Sequence, residues 1–216
     1  MRLLFDQVSL VLLGGWNPAI LQPKWIAKEI FNTPEGEDVP ATITFPLNIS
    51  GPPKVEMKGV AFVPTNDNLA IFPTQPDEDG FNRAEQFAIN LLRELPHTPI
   101  SAFGENFVYV EDDPNDELLR IFNVNDDIDT RVEHATGMAK LSIKKSMQIG
   151  ECLLNITRSF DDGVVKFSFN FHYEVNSAEV AGRALGDTFF RNYTVCQNVM
   201  QSYNADLEEL GEANHG

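Results

Sequence analysis

The residues best suited to act together in a binding site stand in one short segment, residues 95–109, with the sequence LPHTPISAFGENFVY. His97 and Thr98 lie between two prolines, and Glu105 and Asn106 follow within an apolar run. An imidazole exchanges a proton near neutral pH, and a hydroxyl, a carboxylate and an amide hydrogen-bond polar ligands. We therefore take these four residues as candidate ligand-binding groups. The alternative is a helix-to-strand corner that contains a hydrogen-bonded asparagine.

A second candidate group lies on a predicted strand in the C-terminal third of the chain. Polar residues alternate along residues 164–175, so they share one face of the strand. Asn170 and His172 are the candidate ligand-binding residues of this face, with Glu174 beside them. The alternative interpretation is an ordinary solvated sheet face.

The motifs of the best-marked enzyme classes are absent. The sequence contains no Gly-x-Ser-x-Gly, Gly-x-Gly-x-x-Gly, P-loop or His-Glu-x-x-His pattern. Gly14 and Gly15 separate a predicted strand from a helix start, where backbone N–H groups can surround an anion. No Lys, Ser or Thr follows them as in a P-loop, so we favour a tight turn. We assign no catalytic residue and expect a non-enzymatic protein, although a site assembled from distant residues is the alternative.

Metal and cofactor sites are not expected either. Residues 123–129 place oxygen ligands at alternate positions, as a calcium loop does. Ile128 stands where such a loop needs glycine, and His134 stands where it needs glutamate. The histidines are widely spaced, and the two cysteines form no CxxC pair. Both cysteines lie on apolar stripes, which is typical of buried structural thiols.

The charge of the chain restricts its partners. The net charge is −16, from 32 acidic and 16 basic residues. We therefore expect no direct binding to a nucleic-acid backbone, which requires clustered Lys and Arg. No apolar run approaches the roughly 20 residues of a membrane span. Acidity and unpaired cysteines are typical of a bacterial cytoplasmic protein; a basic protein partner and mimicry of DNA are the alternatives.

Periodic apolar patterns predict the order β-α-β-β-β-α-β, a small helix, and then β-β-β-α. Two long helices are predicted, at about 81–95 and 178–203, and the segment 54–63 is predicted as one strand with a bulge near Gly59. The strands follow one another in hairpins instead of alternating with helices. This order predicts an α+β fold with a mainly antiparallel sheet and both long helices on one face.

The chain is expected to form a single α+β domain over residues 1–205. Each half reads as strands plus one long helix, so two pseudo-similar halves, about 1–122 and 123–205, are the alternative division. The acidic residues 206–216 are predicted to be a flexible tail.

The most specific local prediction is a long C-terminal hairpin. Asp162-Gly163 favours a two-residue turn with positive φ. Counting outward from this turn gives one apolar face with the pairs Phe160–Val165, Ile156–Phe169, Leu154–Phe171 and Cys152–Tyr173. The other face is polar and includes the pair Asn155–Asn170. A slip of one residue would destroy both faces, so the register is well specified.

One resemblance accompanies these patterns. The segment LRELPHTPISAFGENFVY, residues 92–109, follows an amphipathic helix and precedes a late hairpin and helix. This layout resembles that of sporadically distributed, uncharacterised bacterial α+β proteins, some of whose genes lie near mobile or phage-defence loci. The resemblance implies an accessory role in a bacterial system and carries over no catalytic residue.

Three functional hypotheses follow from the sequence. The first is a non-enzymatic accessory or interaction component of a bacterial cytoplasmic multi-protein system, related to phage defence and working through a protein partner or as a homo-oligomer. The second is a small-ligand-binding protein or an enzyme with a site at the 97–106 corner or on the polar hairpin face. The third is an acidic DNA mimic or inhibitor.

Overall fold

The computed structural model describes residues 1–46, 51–122 and 139–213. Within these residues, ten strands form one antiparallel sheet, and five helices accompany it. The strands are β1 (Arg2–Leu3), β2 (Ser9–Gly14), β3 (Thr42–Thr44), β4 (Lys54–Met57), β5 (Val60–Pro64), β6 (Asn68–Pro73), β7 (Ile100–Glu111), β8 (Lys140–Ile149), β9 (Cys152–Asp161) and β10 (Val164–Glu174). The predicted α+β class is confirmed.

The helices of the described residues are α1 (Pro23–Trp25), α2 (Glu78–Glu94), α3 (Asp116–Arg120), α4 (Ala178–Ala184) and α5 (Thr188–Ala213). Helix α1 continues into a π turn at Ile26–Ile30, and a 3-10 turn covers Phe5–Gln7. The carboxylate of Asp77 caps α2, because its Oδ1 accepts a hydrogen bond from the Gly80 N–H at 2.8 Å. None of these helices is both long enough and apolar enough to cross a membrane.

The long helices cover one face of the sheet. Phe62 of β5 stacks on Phe87 of α2 at 5.2 Å, and Phe107 of β7 lies 5.6 Å from Phe189 of α5. These side chains are almost completely buried and belong to one continuous apolar core. No described helix lies on the opposite face, which we call the uncovered face.

Strand β7 lies in the middle of the sheet, whose order is β3-β4-β5-β6-β2-β7-β10-β9-β8, with β1 paired to the end of β7. The C-terminal hairpin has the predicted register in every pair, including Cys152 opposite Tyr173 and Asn155 opposite Asn170. The predicted turn has φ values of 49° at Asp162 and 82° at Gly163. The match between side-chain pattern and turn chemistry therefore determined the pairing of the longest hairpin.

Two parts of the sheet have a similar order of described elements, with a four-stranded meander in the first and a three-stranded meander in the second. In each part, one strand is followed by a short helix, a meander and a long helical segment, and the first strand pairs with the last strand of its own meander. These pairs are β2 with β6 and β7 with β10. The two parts meet where β2 pairs with β7. The single domain over residues 1–205 and the alternative division into halves of about 1–122 and 123–205 both stay predictions.

Two elements differ from the sequence prediction. The segment 54–63 is a hairpin, β4 and β5, because Lys58 and Gly59 adopt positive φ values of 47° and 77° and reverse the chain. The single helix predicted over 178–203 is instead α4 and α5, separated at Leu185, Gly186 and Asp187. Asp187 has a φ of 60°, which ends regular helix geometry there. The second of these helices continues to Ala213, into the stretch predicted as a tail.

Candidate functional site

The structure separates the candidate residues of the 97–106 corner. Glu105 and Asn106 are neighbours on β7, so their side chains point to opposite faces of the sheet. Glu105 is fully buried on the helix-covered face, whereas Asn106 is half-buried on the uncovered face. His97 is exposed in the turn after α2, and Thr98 is half-buried there. Glu105 lies five residue steps along the strand from Ile100, a distance of about 17 Å, so the corner and Glu105 do not form one site.

Asn106 and Asn170 belong instead to a row of hydrogen bonds that crosses five strands on the uncovered face. We call this row the asparagine ladder. From one end to the other, Ser146 Oγ donates to Asn155 Oδ1 at 2.7 Å, Asn155 Nδ2 to Asn170 Oδ1 at 3.1 Å, Asn170 Nδ2 to Asn106 Oδ1 at 2.9 Å, and Asn106 Nδ2 to Ser9 Oγ at 3.2 Å. Each amide uses both of its ends. The ladder therefore satisfies the half-buried Asn106 and reinforces the strand register.

The neighbours of the ladder also have structural explanations. A Cβ on Gly104 would lie 3.2 Å from Asn170 Nδ2, so the glycine leaves room for the asparagine side chain. His172 is opposite Gly104 on β7 and Leu153 on β9, and it is half-buried on the same uncovered face. A ligand-binding role for His97, Thr98, Asn106, Asn170 or His172 stays a prediction.

A buried polar cluster surrounds Glu105 on the other face. Its Oε1 accepts a hydrogen bond from Thr188 Oγ1 at 2.7 Å, and its Oε2 accepts one from Asn192 Nδ2 at 2.7 Å. Asn192 Nδ2 also donates to the hydroxyl of Tyr173 at 2.9 Å. Thr188 and Asn192 stand one turn apart on α5 and so face β7 together. We call these four residues, Glu105, Tyr173, Thr188 and Asn192, the Glu105 cluster.

A second buried carboxyl group, Glu85 of α2, borders the cluster. Glu85 Oε2 accepts the backbone N–H of Asp187 at 3.0 Å, and Oε1 accepts those of Thr188 at 2.9 Å and Phe189 at 3.3 Å. Glu85 thereby caps α5 from another helix, where a negative charge meets the positive end of the helix dipole. This cap explains why a new helix starts at Thr188.

The hydroxyl of Thr188 lies between the two carboxyl groups, 2.9 Å from Glu85 Oε1 and 2.7 Å from Glu105 Oε1. It has one proton and can donate to only one of them. Three backbone N–H groups already stabilise a charge on Glu85, so Glu105 is the group better suited to carry a proton. Burial, with a smaller contribution from the charge of Glu85, raises the pKa of Glu105 from 4.5 to about 7, although hydrogen bonds from Thr188 and Asn192 oppose the rise.

A cleft of about 460 Å³ opens beside the Glu105 cluster. It lies between the turn that joins β8 to β9, the ends of β9 and β10, and helices α4 and α5. Its lining residues are Ile149, Glu151, Cys152, Phe171, Tyr173, Ala184, Thr188, Arg191, Asn192 and Val195. Three members of the cluster therefore line the cleft and hold Glu105 behind it. The volume falls within the range of small-molecule sites.

The thiol and the phenol of the cleft are not activated for covalent chemistry. Burial raises the pKa of the Cys152 thiol and raises that of the Tyr173 hydroxyl to about 12. Both groups are consequently protonated at neutral pH, and Cys152 lacks the thiolate that a nucleophile needs. Burial likewise raises the pKa of Cys196 in the core.

The remaining candidates from the sequence offer no site in the described part of the chain. The N–H of Gly14 donates to Asp67 O at 3.0 Å and that of Gly15 to Pro99 O at 3.1 Å, so neither is free for an anion. A Cβ on Gly14 would lie 2.4 Å from Pro99 O, as expected of a tight turn. No group of three metal-ligating side chains occurs among the described residues. The calcium-loop pattern at 123–134 lies outside them.

Four residues of the site were not predicted as functional candidates from the sequence: Glu85, Tyr173, Thr188 and Asn192. The sequence nevertheless contains a signal on α2, α5 and β7, because in each of these elements a polar residue interrupts an apolar pattern. Glu85 shares a helical stripe with Phe81, Ala88 and Leu92. On α5, Asn192 shares a stripe with Phe189 and Cys196, all three of which are buried. The same interruption marks Glu105 between Phe103 and Phe107.

Comparison of the chain with protein-family models, with curated proteins and with solved structures finds no match. The protein is thus described by its fold and its site: an α+β protein with an antiparallel sheet, helices on one face, and a mainly apolar cleft whose few polar groups lie beside a buried carboxyl group.

Proposed function

We propose that the protein binds a small ligand in the cleft beside the Glu105 cluster. The observation that carries this proposal is that Tyr173, Thr188 and Asn192 line the cleft and also hydrogen-bond to each other or to a completely buried carboxyl group. The polar wall of the cleft is thus fixed in place before any ligand arrives. Preorganised polar groups in a concave, mainly apolar site are the usual construction of a small-molecule site.

The energetics of Glu105 support a role beyond structure. A carboxyl group whose pKa is raised by burial costs stability whenever it is charged, and a neutral amide could accept from Asn192 and donate to the hydroxyl of Thr188 instead. Perturbed carboxyl groups next to clefts are a frequent property of functional sites. Since neither Cys152 nor Tyr173 is activated, the described groups favour binding over covalent catalysis.

The experiment is a ligand screen with a blocked cleft as its control. A set of neutral, anionic and cationic fragments is tested by ligand-observed NMR against the wild type and Val195→Phe. Val195 lines the cleft, so a larger side chain there should abolish binding. Val199 lies one turn further along α5, is half-buried, and does not line the cleft, so Val199→Phe is the matched variant that should retain binding. If no fragment is lost specifically in Val195→Phe, the proposal is wrong.

A second candidate function is association with an acidic segment of a protein partner. Strand β8 is ten residues long and stands at the end of the sheet order, with no described strand on its outer side. Lys144 and Lys145 are exposed on opposite faces of this edge, and no described carboxylate lies within ion-pair distance of either. Two such edges would repel each other, whereas an acidic extended segment could add a strand.

Through this edge the protein would bind its partner as an accessory component of a bacterial cytoplasmic system, such as a phage-defence system. A pull-down at several salt concentrations compares the wild type with Lys144→Glu/Lys145→Glu. Loss of a retained protein in the variant supports the proposal, and retention of the same proteins by both contradicts it. Mimicry of DNA stays a prediction from the charge alone.

A further inference from the structure

We propose that the ligand of the cleft carries a carboxylate that binds Arg191 and the Tyr173 hydroxyl, and that its binding makes Glu105 take up a proton. This inference rests on the proposed function, because it names the ligand class of the same cleft.

Arg191 is the cation that can bind a carboxylate in the cleft. It lines the cleft, is exposed, and forms no ion pair or side-chain hydrogen bond with any described residue. Arg183, on the preceding helix, is by contrast paired with Glu179 at 3.6 Å. A planar guanidinium with free donors matches the two oxygens of a carboxylate. The net charge of the chain is −16, so acidic residues outnumber basic ones. An arginine of the cleft that is nevertheless unpaired with any described residue is therefore a candidate for binding an anionic ligand.

The Tyr173 hydroxyl is a second donor for the same ligand group. Its oxygen accepts the hydrogen bond from Asn192 Nδ2, so its own proton is directed elsewhere. The Cys152 thiol is near enough to contribute to the raised pKa of this hydroxyl, and its sulfur is only a weak acceptor. A carboxylate oxygen is a much stronger acceptor and would replace the sulfur. Tyr173 and Arg191 would then donate to the same ligand group.

The apolar lining residues of the cleft indicate the chemistry of the rest of the ligand, beyond its carboxylate. Ile149, Phe171 and Val195 present apolar surface to the cleft, and Ile149 is 52% exposed although it is a large apolar residue. A short aliphatic chain or a single ring would cover this surface. Glu151 also lines the cleft and opposes an anion, so only one carboxylate is expected. The ligand class is therefore a small monocarboxylate with an apolar body.

Coupling to Glu105 follows from the charges around it. Four elements contribute the ionisable and polar groups near Glu105: Glu85 of α2, Cys152 of β9, Tyr173 of β10, and Thr188, Arg191, Asn192 and Cys196 of α5. Strand β2, which is also paired with β7 here, places the apolar Leu10 opposite Glu105. Arg191 is the cation among them, and it lowers the pKa of Glu105. A bound carboxylate would neutralise Arg191 and add a negative charge, so the pKa of Glu105 would rise above about 7.

Isothermal titration calorimetry at pH 7, in two buffers of different ionisation enthalpy, tests both statements. Hexanoate and phenylacetate are the probes, and hexanamide and hexylamine are their neutral and cationic counterparts. We expect the carboxylates to bind at least about tenfold more tightly than hexanamide, with up to about half a proton taken up per ligand. Arg191→Gln should weaken hexanoate binding about tenfold or more, and Arg183→Gln should leave it unchanged. Glu105→Gln should bind hexanoate without proton uptake.

The outcomes distinguish this inference from the proposed function. If hexanamide or hexylamine binds as tightly as hexanoate and Val195→Phe abolishes that binding, the cleft binds ligands but the carboxylate assignment is wrong. If hexanoate binds with the same proton uptake in Glu105→Gln, the coupling is wrong. If no fragment of any charge binds in the cleft, the proposed function and this inference fail together.

Discussion

The buried carboxyl group of Glu105 makes the stability of the fold depend on pH in a direction that one substitution can test. Glu105 binds its proton more tightly in the folded chain than in the unfolded chain, because burial raises its pKa from 4.5 to about 7. The stability that it contributes is therefore complete below about pH 4.5 and is lost as the pH rises through about 7. At about 1.36 kcal/mol per pKa unit, the full loss is about 3 kcal/mol.

Glu105→Gln removes this titration and keeps the shape. A protonated carboxyl and an amide each offer one acceptor oxygen and a donor, so Gln can accept from Asn192 and donate to Thr188. At pH 5 we expect the variant and the wild type to unfold with free energies within about 1 kcal/mol of each other. At pH 8.5 the variant should have gained about 2–3 kcal/mol relative to the wild type, since only the wild type then buries a charge.

The assay is urea unfolding, followed by circular dichroism at pH 5, 6, 7 and 8.5. Subtracting the wild type from the variant at each pH cancels the titration of all other groups. Glu94→Gln is the matched control, because Glu94 is exposed on α2, and its effect should stay within about 0.5 kcal/mol at every pH. A Glu105→Gln difference that is flat from pH 5 to pH 8.5 would show that the pKa of Glu105 is not raised, since Glu105 would then titrate as it does in water.

Three further predictions concern the contacts around this site and can all be measured as free energies of unfolding in urea at pH 7. Glu85→Gln should cost about 2–3 kcal/mol, because an amide cannot accept all the hydrogen bonds that start α5, and a cost below about 0.5 kcal/mol would show that Glu85 is not a cap. Asn170→Ala should cost about 1–2 kcal/mol by cutting the asparagine ladder, whereas Ser168→Ala on the same face should cost less than about 0.5 kcal/mol; equal costs would contradict the ladder. Gly14→Ala should cost about 1–3 kcal/mol, because its Cβ would meet backbone that cannot move away, and a neutral result would exclude that close approach.

A structural feature of this fold can be predicted from the sequence when the residues that determine it are close together in the chain. The C-terminal hairpin was predicted residue by residue, because Asp162-Gly163 and the alternating side chains act on the same stretch of chain. The turn at Lys58-Gly59 was missed, because a lysine at positive φ is uncommon and the turn chemistry was read as a bulge. Both turns are determined by residues that are neighbours in sequence, so the residue types at the turn decide whether the turn can be predicted.

The break between α4 and α5 and the Glu105 cluster depend instead on distant partners. Glu85 lies 103 residues before Thr188, and Glu105 lies 83 residues before it. No local pattern indicates that a carboxylate on one helix will cap another. The sequence did single out Glu105, but it grouped that residue with His97, Thr98 and Asn106, because strand direction and sheet face only become evident once the pairing of β7 is known.

We propose that the pKa of the buried Glu105 carboxyl group rises when a ligand binds in the cleft. The most direct measurement is the pH titration of the Glu105 carboxyl carbon by ¹³C NMR, with and without saturating hexanoate, assigned with Glu105→Gln. We expect a midpoint near pH 7 in the free protein and a higher midpoint in the complex. A midpoint near 4.5, or one that hexanoate leaves unchanged while bound in the cleft, would contradict it.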